Sequence, residues 1–147
     1  MPLYHGRGDS VLNFSILQHS LKRFRGELGC LTPIEFGELP FSPKRVFIID
    51  NVPAGGVRGD HAHKVNHQFF LCIRGEFVIQ AILGAALMRT FKMERDSNEA
   101  FHAPPLTWIK LCVFSEDAIC AVFASHPYDP GDYINDYKEY QKICDSI

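Results

Sequence analysis

Short apolar runs separated by turn-forming residues dominate the chain after residue 25. β-Branched and aromatic residues are frequent within the runs, and the breaks contain Gly, Pro, Asn, Asp and Ser, which is typical of strands joined by tight turns. So many strands leave many edges, which only a closed barrel or two packed sheets can cover. We therefore predict an all-β sandwich or closed barrel. The predicted strands are Gly26–Glu35, Arg45–Asn51, Gly59–Lys64, Gln68–Ile73, Phe77–Leu83, Leu87–Lys92, Ala100–Ala103, Thr107–Phe114 and Ala118–Ala124.

The two ends of the chain depart from this pattern. Residues Val11–Phe24 have a loose helical spacing of apolar positions that also fits an irregular arm. Residues 1–25 are therefore interpreted as an N-terminal arm and residues 26–125 as the barrel of a single domain. In the tail, residues 126–147, a short last helix is predicted, with Asp132 as a plausible N-cap.

Composition and charge narrow the functional classes. The chain has 15 Lys and Arg against 17 Asp and Glu, so no basic surplus favours nucleic acid or a membrane surface. Its apolar runs are far shorter than the roughly 20 residues of a membrane-spanning helix. The N-terminal residues do not resemble a signal peptide, so we expect a cytoplasmic protein. The five cysteines form no CxxC pair and no zinc-like spacing.

The candidate chemistry lies in the segment RGDHAHK, which contains His61 and His63 after a Gly-rich turn. Side chains alternate along a strand, so both imidazoles point to the same face. Two such imidazoles can bind a metal ion, or they can act as a general acid/base pair near neutral pH. They can also be exposed or structural histidines, and a motif this short does not separate the three possibilities.

The flanking residues argue against a metal. From Gly55 to Gly75 the spacing is similar to the first cupin motif, but Gln68 occupies the position of its acidic ligand. The strand on which the second cupin motif supplies another histidine reads PPLTWIKLCVF, without a histidine. Two imidazoles and one neutral amide are a poor donor set for Zn²⁺, Fe²⁺ or Mn²⁺. We therefore expect no metal, and acid/base chemistry at His61 and His63.

Motifs along most of the chain resemble the cupin-type nucleotide-sugar 3,4-ketoisomerases. The resemblance implies a cupin jelly-roll β-barrel with a short C-terminal helix. It also implies a reaction that moves the keto group of dTDP-4-keto-6-deoxyglucose from C4 to C3 without any cofactor. The segments that carry it are RGEL (Arg25–Leu28), LPFSPKRVF (Leu39–Phe47), VPAGGVRGDHAHK (Val52–Lys64), PPLTW (Pro104–Trp108) and ASHPYDPGDYINDYKEY (Ala124–Tyr140).

The proposed reaction needs a base for the C3 proton and a group that stabilises negative charge on oxygen. We assign His63 as the carbon acid/base and His61 as its partner. Arg58 is the candidate for stabilising the enediolate or binding phosphate; the alternative is a surface arginine.

Five further residues are candidates for substrate binding. Gln68 could donate to a sugar oxygen. Lys64 alternates away from His63 and could reach the pyrophosphate from a neighbouring subunit, and Arg45 is a similar charge candidate beside the turn. Trp108 and Tyr128 could stack on thymine or line the pocket. For each of these residues the alternative is a structural or solvated side chain.

Two positions depart from the family pattern. Members often carry a tyrosine on the strand that here reads RVFIID, which contains Phe47, and some have a histidine where this chain has Ile109. Cupin barrels of this size commonly pair by exchanging N-terminal strands, so we expect a homodimer in which Gly26–Glu35 is exchanged. The alternative functions are an epimerase or dehydratase acting on a related nucleotide sugar, a non-catalytic sugar-binding module, and a metal-dependent cupin enzyme.

Overall fold

The structure is a computed structural model that describes residues 17–147. It contains twelve short strands and, near the end of the chain, one α-helix. The strands are β1 (Gln18–Ser20), β2 (Phe24–Gly26), β3 (Gly29–Leu31), β4 (Arg45–Asp50), β5 (Arg58–His63), β6 (Gln68–Arg74), β7 (Glu76–Leu83), β8 (Arg89–Glu94), β9 (Glu99–Ala103), β10 (Thr107–Cys112), β11 (Ile119–Ala124) and β12 (Tyr133–Ile134), and the helix is α1 (Tyr137–Asp145).

Ten of these strands form two five-stranded antiparallel sheets, in the orders β1-β9-β6-β11-β4 and β12-β5-β10-β7-β8. Alternate residues of the two sheets share one buried core, with Phe70 and Val122 from the first sheet and Phe77 and Ile79 from the second. The predicted all-β jelly-roll fold with a short C-terminal helix is thereby confirmed. No helix within residues 17–147 combines the length and the apolar character needed to cross a membrane.

Each strand predicted from Arg45 onward is present, with ends that shift by at most two residues. The segment Gly26–Glu35 is different, because only its first part is extended. There β2 and β3 pair as a hairpin, with Gly26 opposite Gly29. Gly29 has φ +111°, a conformation that glycine adopts without strain. The predicted long strand is therefore a small hairpin followed by an irregular segment.

The two sheets also extend beyond the range 26–125 that was predicted for the barrel. β1 pairs with β9, and β12 pairs with β5. The helical spacing expected over Val11–Phe24 falls partly on residues 11–16, which lie outside the described residues. Within its described part, the chain forms the strand β1.

Helix α1 is capped by Asp136, whose side chain accepts a hydrogen bond from the backbone N–H of Glu139 at 2.8 Å. Asp132, which was expected to be the cap, has a different role in the site. On its inner side the helix buries Tyr140, which packs with Ala62, Trp108 and Ile134 on the outer face of the second sheet. The tail therefore closes over the strand that carries the two histidines.

Candidate active site

A cavity of about 430 Å³ opens between the two sheets at one end of the barrel. Its lining is half polar and half apolar. The polar side chains are Arg45, Arg58, His61, Gln68, Tyr128 and Tyr133. The apolar side chains are Phe47, Ile49, Val57, Phe70, Ile109 and Leu111. Such a mixture suits a small polar ligand with an apolar body, since apolar walls exclude water and a few polar groups fix the orientation.

His61 and His63 lie on β5 and point to the same side of the strand, as their spacing predicts. Their Nε2 atoms are 3.2 Å apart. His61 lines the cavity, whereas His63 lies behind it, with 7% of its side chain exposed. The two imidazoles therefore form a chain that leads from the cavity into the protein.

A bulge in β5 sets the position of these rings. Across the β10–β5 pair, Ile109 lies opposite His61 and Lys110 opposite Gly59, which leaves Asp60 as the extra residue. Gly59 and Asp60 have φ of +77° and +62°. A Cβ atom at Gly59 would lie 2.9 Å from the carbonyl oxygen of Ile109, so the close approach of the two strands requires glycine there.

Asp132 completes the chain of polar groups, and sequence reasoning missed it. Its Oδ2 lies 3.0 Å from Nδ1 of His63. The same carboxyl group accepts backbone N–H bonds from Val65 at 2.8 Å and from Asn66 at 3.2 Å. Since both carboxyl oxygens act as acceptors, the Nδ1 of His63 is the donor, and the Nε2 of this ring accepts the hydrogen bond from the Nε2 of His61. Asp132 thus fixes both the tautomer and the orientation of His63.

Burial controls the basicity of the pair. Desolvation lowers the pKa of His63, the neighbouring His61 lowers it further, and Asp132 opposes both effects through its hydrogen bond and charge. Desolvation also lowers the pKa of His61. Both rings are therefore neutral at pH 7, and a neutral imidazole is the form that can remove a proton.

Tyr133 is a second residue that sequence reasoning missed. Its ring centroid lies 4.6 Å from that of His61 and 4.5 Å from that of His63. Tyr133 lies opposite His63 in the β12–β5 pair, and it lines the cavity. The signal was present in the sequence, because Asp132 and Tyr133 are adjacent in the motif that carries the family resemblance. The 69 residues that separate Asp132 from His63 gave no indication of the contact.

Four other predicted residues lie where a ligand in the cavity could reach them. Arg58 lines the cavity from the start of β5, and Gln68 is a buried residue at the start of β6. The guanidinium carbon of Arg45 lies 4.7 Å from the ring centroid of Phe47 and 5.4 Å from that of Tyr128. These two aromatic rings hold the positive charge of Arg45 at the wall of the cavity.

Two predicted substrate contacts do not line the cavity. Trp108 alternates with the cavity residue Ile109 along β10, so it faces the opposite side, where its Nε1 donates to Asp60 at 3.2 Å. Trp108 packs against Tyr137 and Tyr140 of α1. Lys64 is exposed, and its Nζ donates to the carbonyl oxygen of Gly131 at 3.2 Å. The period of the strand explains why Trp108 is outside the cavity. The expectation that Lys64 reaches the pyrophosphate of a neighbouring subunit stays a prediction.

Within the described part of the chain, no three His, Cys, Asp or Glu side chains are grouped as a metal site requires. The expectation that the reaction needs no metal and no cofactor stays a prediction. Both positions that depart from the family pattern lie at the cavity, where Phe47 and Ile109 form part of the apolar lining.

Comparison with known proteins identifies the family to which the chain belongs. The family model FdtA, described as WxcM-like, C-terminal, matches residues 15–145. The TDP-4-oxo-6-deoxy-alpha-D-glucose-3,4-oxoisomerase of Aneurinibacillus thermoaerophilus is 31% identical over 141 residues, which are 95% of this chain and 94% of that protein.

Two solved structures are similar to this one. QdtA, a sugar 3,4-ketoisomerase from Thermoanaerobacterium thermosaccharolyticum in complex with TDP, has a TM-score of 0.82 at 31% identity, covering 88% of this chain and 93% of that chain. The WlaRB TDP-quinovose 3,4-ketoisomerase from Campylobacter jejuni has a TM-score of 0.79 at 28% identity, covering 85% and 95%. Because the family model matches nearly the whole chain, the protein belongs to the FdtA family.

Proposed function

We propose that the protein is a sugar 3,4-ketoisomerase that converts TDP-4-keto-6-deoxyglucose into a TDP-3-keto-6-deoxyhexose. The observation that carries this proposal is the hydrogen-bonded chain Asp132–His63–His61, which ends at a cavity with arginine at its wall. A relative that matches 95% of the chain is named for the same reaction. The dTDP-linked keto sugar expected from the sequence is the corresponding substrate.

The reaction is a balanced movement of two hydrogens between adjacent carbons. A base removes the hydrogen from C3, which is acidic because it lies next to the C4 carbonyl, and the electron pair forms an enediolate. O4 gains a proton, C4 receives a hydrogen, and O3 loses its proton as the new carbonyl forms. In our proposal His61, which lines the cavity, removes the C3 hydrogen as a proton, whereas the sequence had favoured His63, which lies behind it. His63 accepts a proton from His61, and Asp132 stabilises the imidazolium that His63 becomes. His61 exchanges protons with His63 and with the sugar oxygens.

The charged and polar lining supports the other requirement, stabilisation of the enediolate and of the pyrophosphate. Arg58 and Arg45 are permanently charged donors, and the amide of Gln68 can both donate and accept. Apolar residues such as Phe47, Phe70 and Ile109 lower the local dielectric, which strengthens each of these interactions. In our proposal, therefore, the side chains of the cavity stabilise both the enediolate and the pyrophosphate.

The test is NMR of TDP-4-keto-6-deoxyglucose incubated with the protein, with and without a chelator. We expect a 3-keto species at the same rate in both samples. Loss of activity with the chelator would revive the metal-dependent alternative. A 4-keto product with an inverted carbon would favour an epimerase, and bound TDP without any turnover would favour a sugar-binding module.

We also propose a homodimer that forms through the N-terminal hairpin. All residues of β2 and β3 are exposed, and this two-stranded sheet pairs with no other described strand. Phe24 is 59% exposed, Leu31 is 65% exposed and Leu28 is fully exposed. An isolated hairpin is marginal in water, so a second copy of the chain that covers it would stabilise it. The cytoplasmic location stays a prediction from the sequence.

Light scattering on the intact protein tests the dimer. We expect twice the chain mass of 16.7 kDa for the wild type, and a monomer for the double variant Leu28→Asp/Leu31→Asp. A matched control is Leu87→Asp, since Leu87 is equally apolar and 79% exposed but lies between β7 and β8, away from the hairpin. A monomeric wild type would contradict the proposal.

A further inference from the structure

The two walls of the cavity differ in their ability to transfer protons. One wall belongs to the second sheet and carries His61 and, on the neighbouring strand, Tyr133. Behind His61 lies His63 with its carboxylate partner. Imidazoles exchange protons readily near neutral pH. This is the imidazole wall.

The facing wall belongs to the first sheet and consists of residues from β4 and β6. Phe47, Ile49 and Phe70 have no exchangeable proton. Arg45 and Gln68 have N–H groups, but a guanidinium stays protonated in proteins and an amide stays neutral. These two side chains can bind oxygen atoms, yet neither can deliver a proton to carbon.

Among the described cavity residues, Tyr128 belongs to neither wall, and its phenol could transfer a proton. It follows β11, its ring centroid lies 5.9 Å from that of Tyr133, and its ring stacks with Arg45. It is 63% exposed, which places it at the mouth of the cavity, away from the buried histidine chain. Its phenol is the single alternative proton donor on the open side.

We propose that the imidazole wall both removes the C3 hydrogen and delivers the C4 hydrogen, so both transfers occur on one face of the sugar. This inference rests on the proposed function and extends it to the product. The C3–H bond breaks and the C4–H bond forms on the same face, while the proton of O3 is lost and O4 gains one. No oxidant or reductant takes part.

Transfer of both hydrogens on one face of the sugar predicts the configuration of the product at C4. In a gluco-configured chair the C3 hydrogen is axial, and the position on the same face of C4 is equatorial. A hydrogen delivered there leaves the 4-hydroxyl axial, which is the galacto configuration. Delivery from the opposite wall would give the gluco configuration instead. The structure thus assigns the protein the 3-keto-6-deoxygalactose product.

Early time points of the NMR assay with TDP-4-keto-6-deoxyglucose test the assignment. In a 3-keto product, H4 has only H5 as a vicinal neighbour. We expect a small H4–H5 coupling, because an equatorial H4 lies gauche to the axial H5. A large diaxial coupling, or a mixture of both products from the first time point, would overturn the inference while leaving the ketoisomerase proposal intact. If no 3-keto species forms, both the ketoisomerase proposal and the inference about the product are overturned.

Tyr128→Phe keeps the aromatic ring and removes the phenol. We expect the product of this variant to have the same small coupling, whatever its rate. If its product changes configuration or becomes a mixture, the C4 proton comes from Tyr128, and the inference is overturned.

Discussion

Among residues 17–147, two pairs of histidines have ring nitrogens within hydrogen-bond distance, and one of these pairs adjoins the cavity. His61 and His63 approach to 3.2 Å between their Nε2 atoms, and His67 and His102 approach to 3.0 Å between Nδ1 and Nε2. The first pair lies on the inner side of the barrel and the second on the outer side, below the ring of Phe41. Contact between imidazoles is therefore not what distinguishes a catalytic pair.

The difference lies in what surrounds each pair. The inner pair has a buried carboxylate behind it and a cavity in front of it. In the described part of the chain, the titratable neighbours that affect the outer pair are His19 and His126, and burial disfavours its protonation. A carboxylate turns a buried imidazole into an oriented base, whereas neighbouring imidazoles only oppose its protonation. In our proposal the same residue type thus serves catalysis on one face and packing on the other.

The largest expected effect is a loss of kcat when a histidine of the inner pair, but not of the outer pair, is replaced. We expect His61→Asn to lower kcat for ketoisomerisation by about 10³-fold, because loss of a general base costs about 10²–10⁴-fold. The matched control is His67→Asn, which removes an imidazole of the outer pair. It should change kcat by less than about threefold, as expected for a residue away from the site. Equal losses in the two variants would contradict the comparison.

The next effect concerns the carboxylate. Asp132→Asn should lower kcat by about 10²-fold or more, since an amide can donate to His63 and select the wrong tautomer. The KM should change much less, because Asp132 lies behind the histidines. Steady-state kinetics check this split, and circular dichroism controls for folding, because Asp132 also holds the backbone of Val65 and Asn66. A variant with unchanged kcat would show that orientation by Asp132 is unimportant.

These results also measure how far sequence reasoning reaches. Strand alternation correctly placed His61 and His63 on one face, and the cupin spacing correctly brought Gln68 to the same cavity. The same alternation, applied to β10, would have shown that Trp108 and Ile109 face opposite sides of the sheet. Trp108 would then not have been predicted to contact the substrate. Asp132 was beyond such reasoning, because its partner is distant along the chain and a cap one turn earlier than Asp136 fitted the tail equally well.

A smaller effect distinguishes two cations near the site. Arg45→Ala should weaken TDP binding about tenfold, since a hydrogen bond to a charged group contributes about 1.5–3 kcal/mol. Lys64→Ala should change the dissociation constant less than about twofold, because Lys64 is exposed and contacts only the loop. Titration calorimetry with TDP measures both. A larger loss for Lys64 than for Arg45 would mean that the nucleotide lies outside the cavity.

The smallest effect concerns the stability of the outer pair. Burial, together with His67 and His19, lowers the pKa of His102 to about 4, against 6.5 in an unfolded chain. The unfolded state therefore binds the proton first, so stability is full above about pH 6.5 and falls as the pH approaches about 4. After a discount for partial exposure, we expect a loss of about 1–2 kcal/mol.

Urea unfolding across this pH range checks the effect in the wild type and in His102→Gln, which can hydrogen-bond but does not titrate. We expect a shallower loss of stability with falling pH in the variant. An identical pH dependence would show that the outer pair contributes nothing to acid sensitivity.

The central claim is that the inner pair removes the hydrogen from C3 of the keto sugar. The most direct measurement follows the C3–H signal of TDP-4-keto-6-deoxyglucose by NMR with the wild type and with His61→Asn, both saturated with substrate. We predict that the signal disappears with the wild type as the 3-keto species forms, and that it persists with His61→Asn. Loss of the C3–H signal at the wild-type rate in His61→Asn would contradict the account.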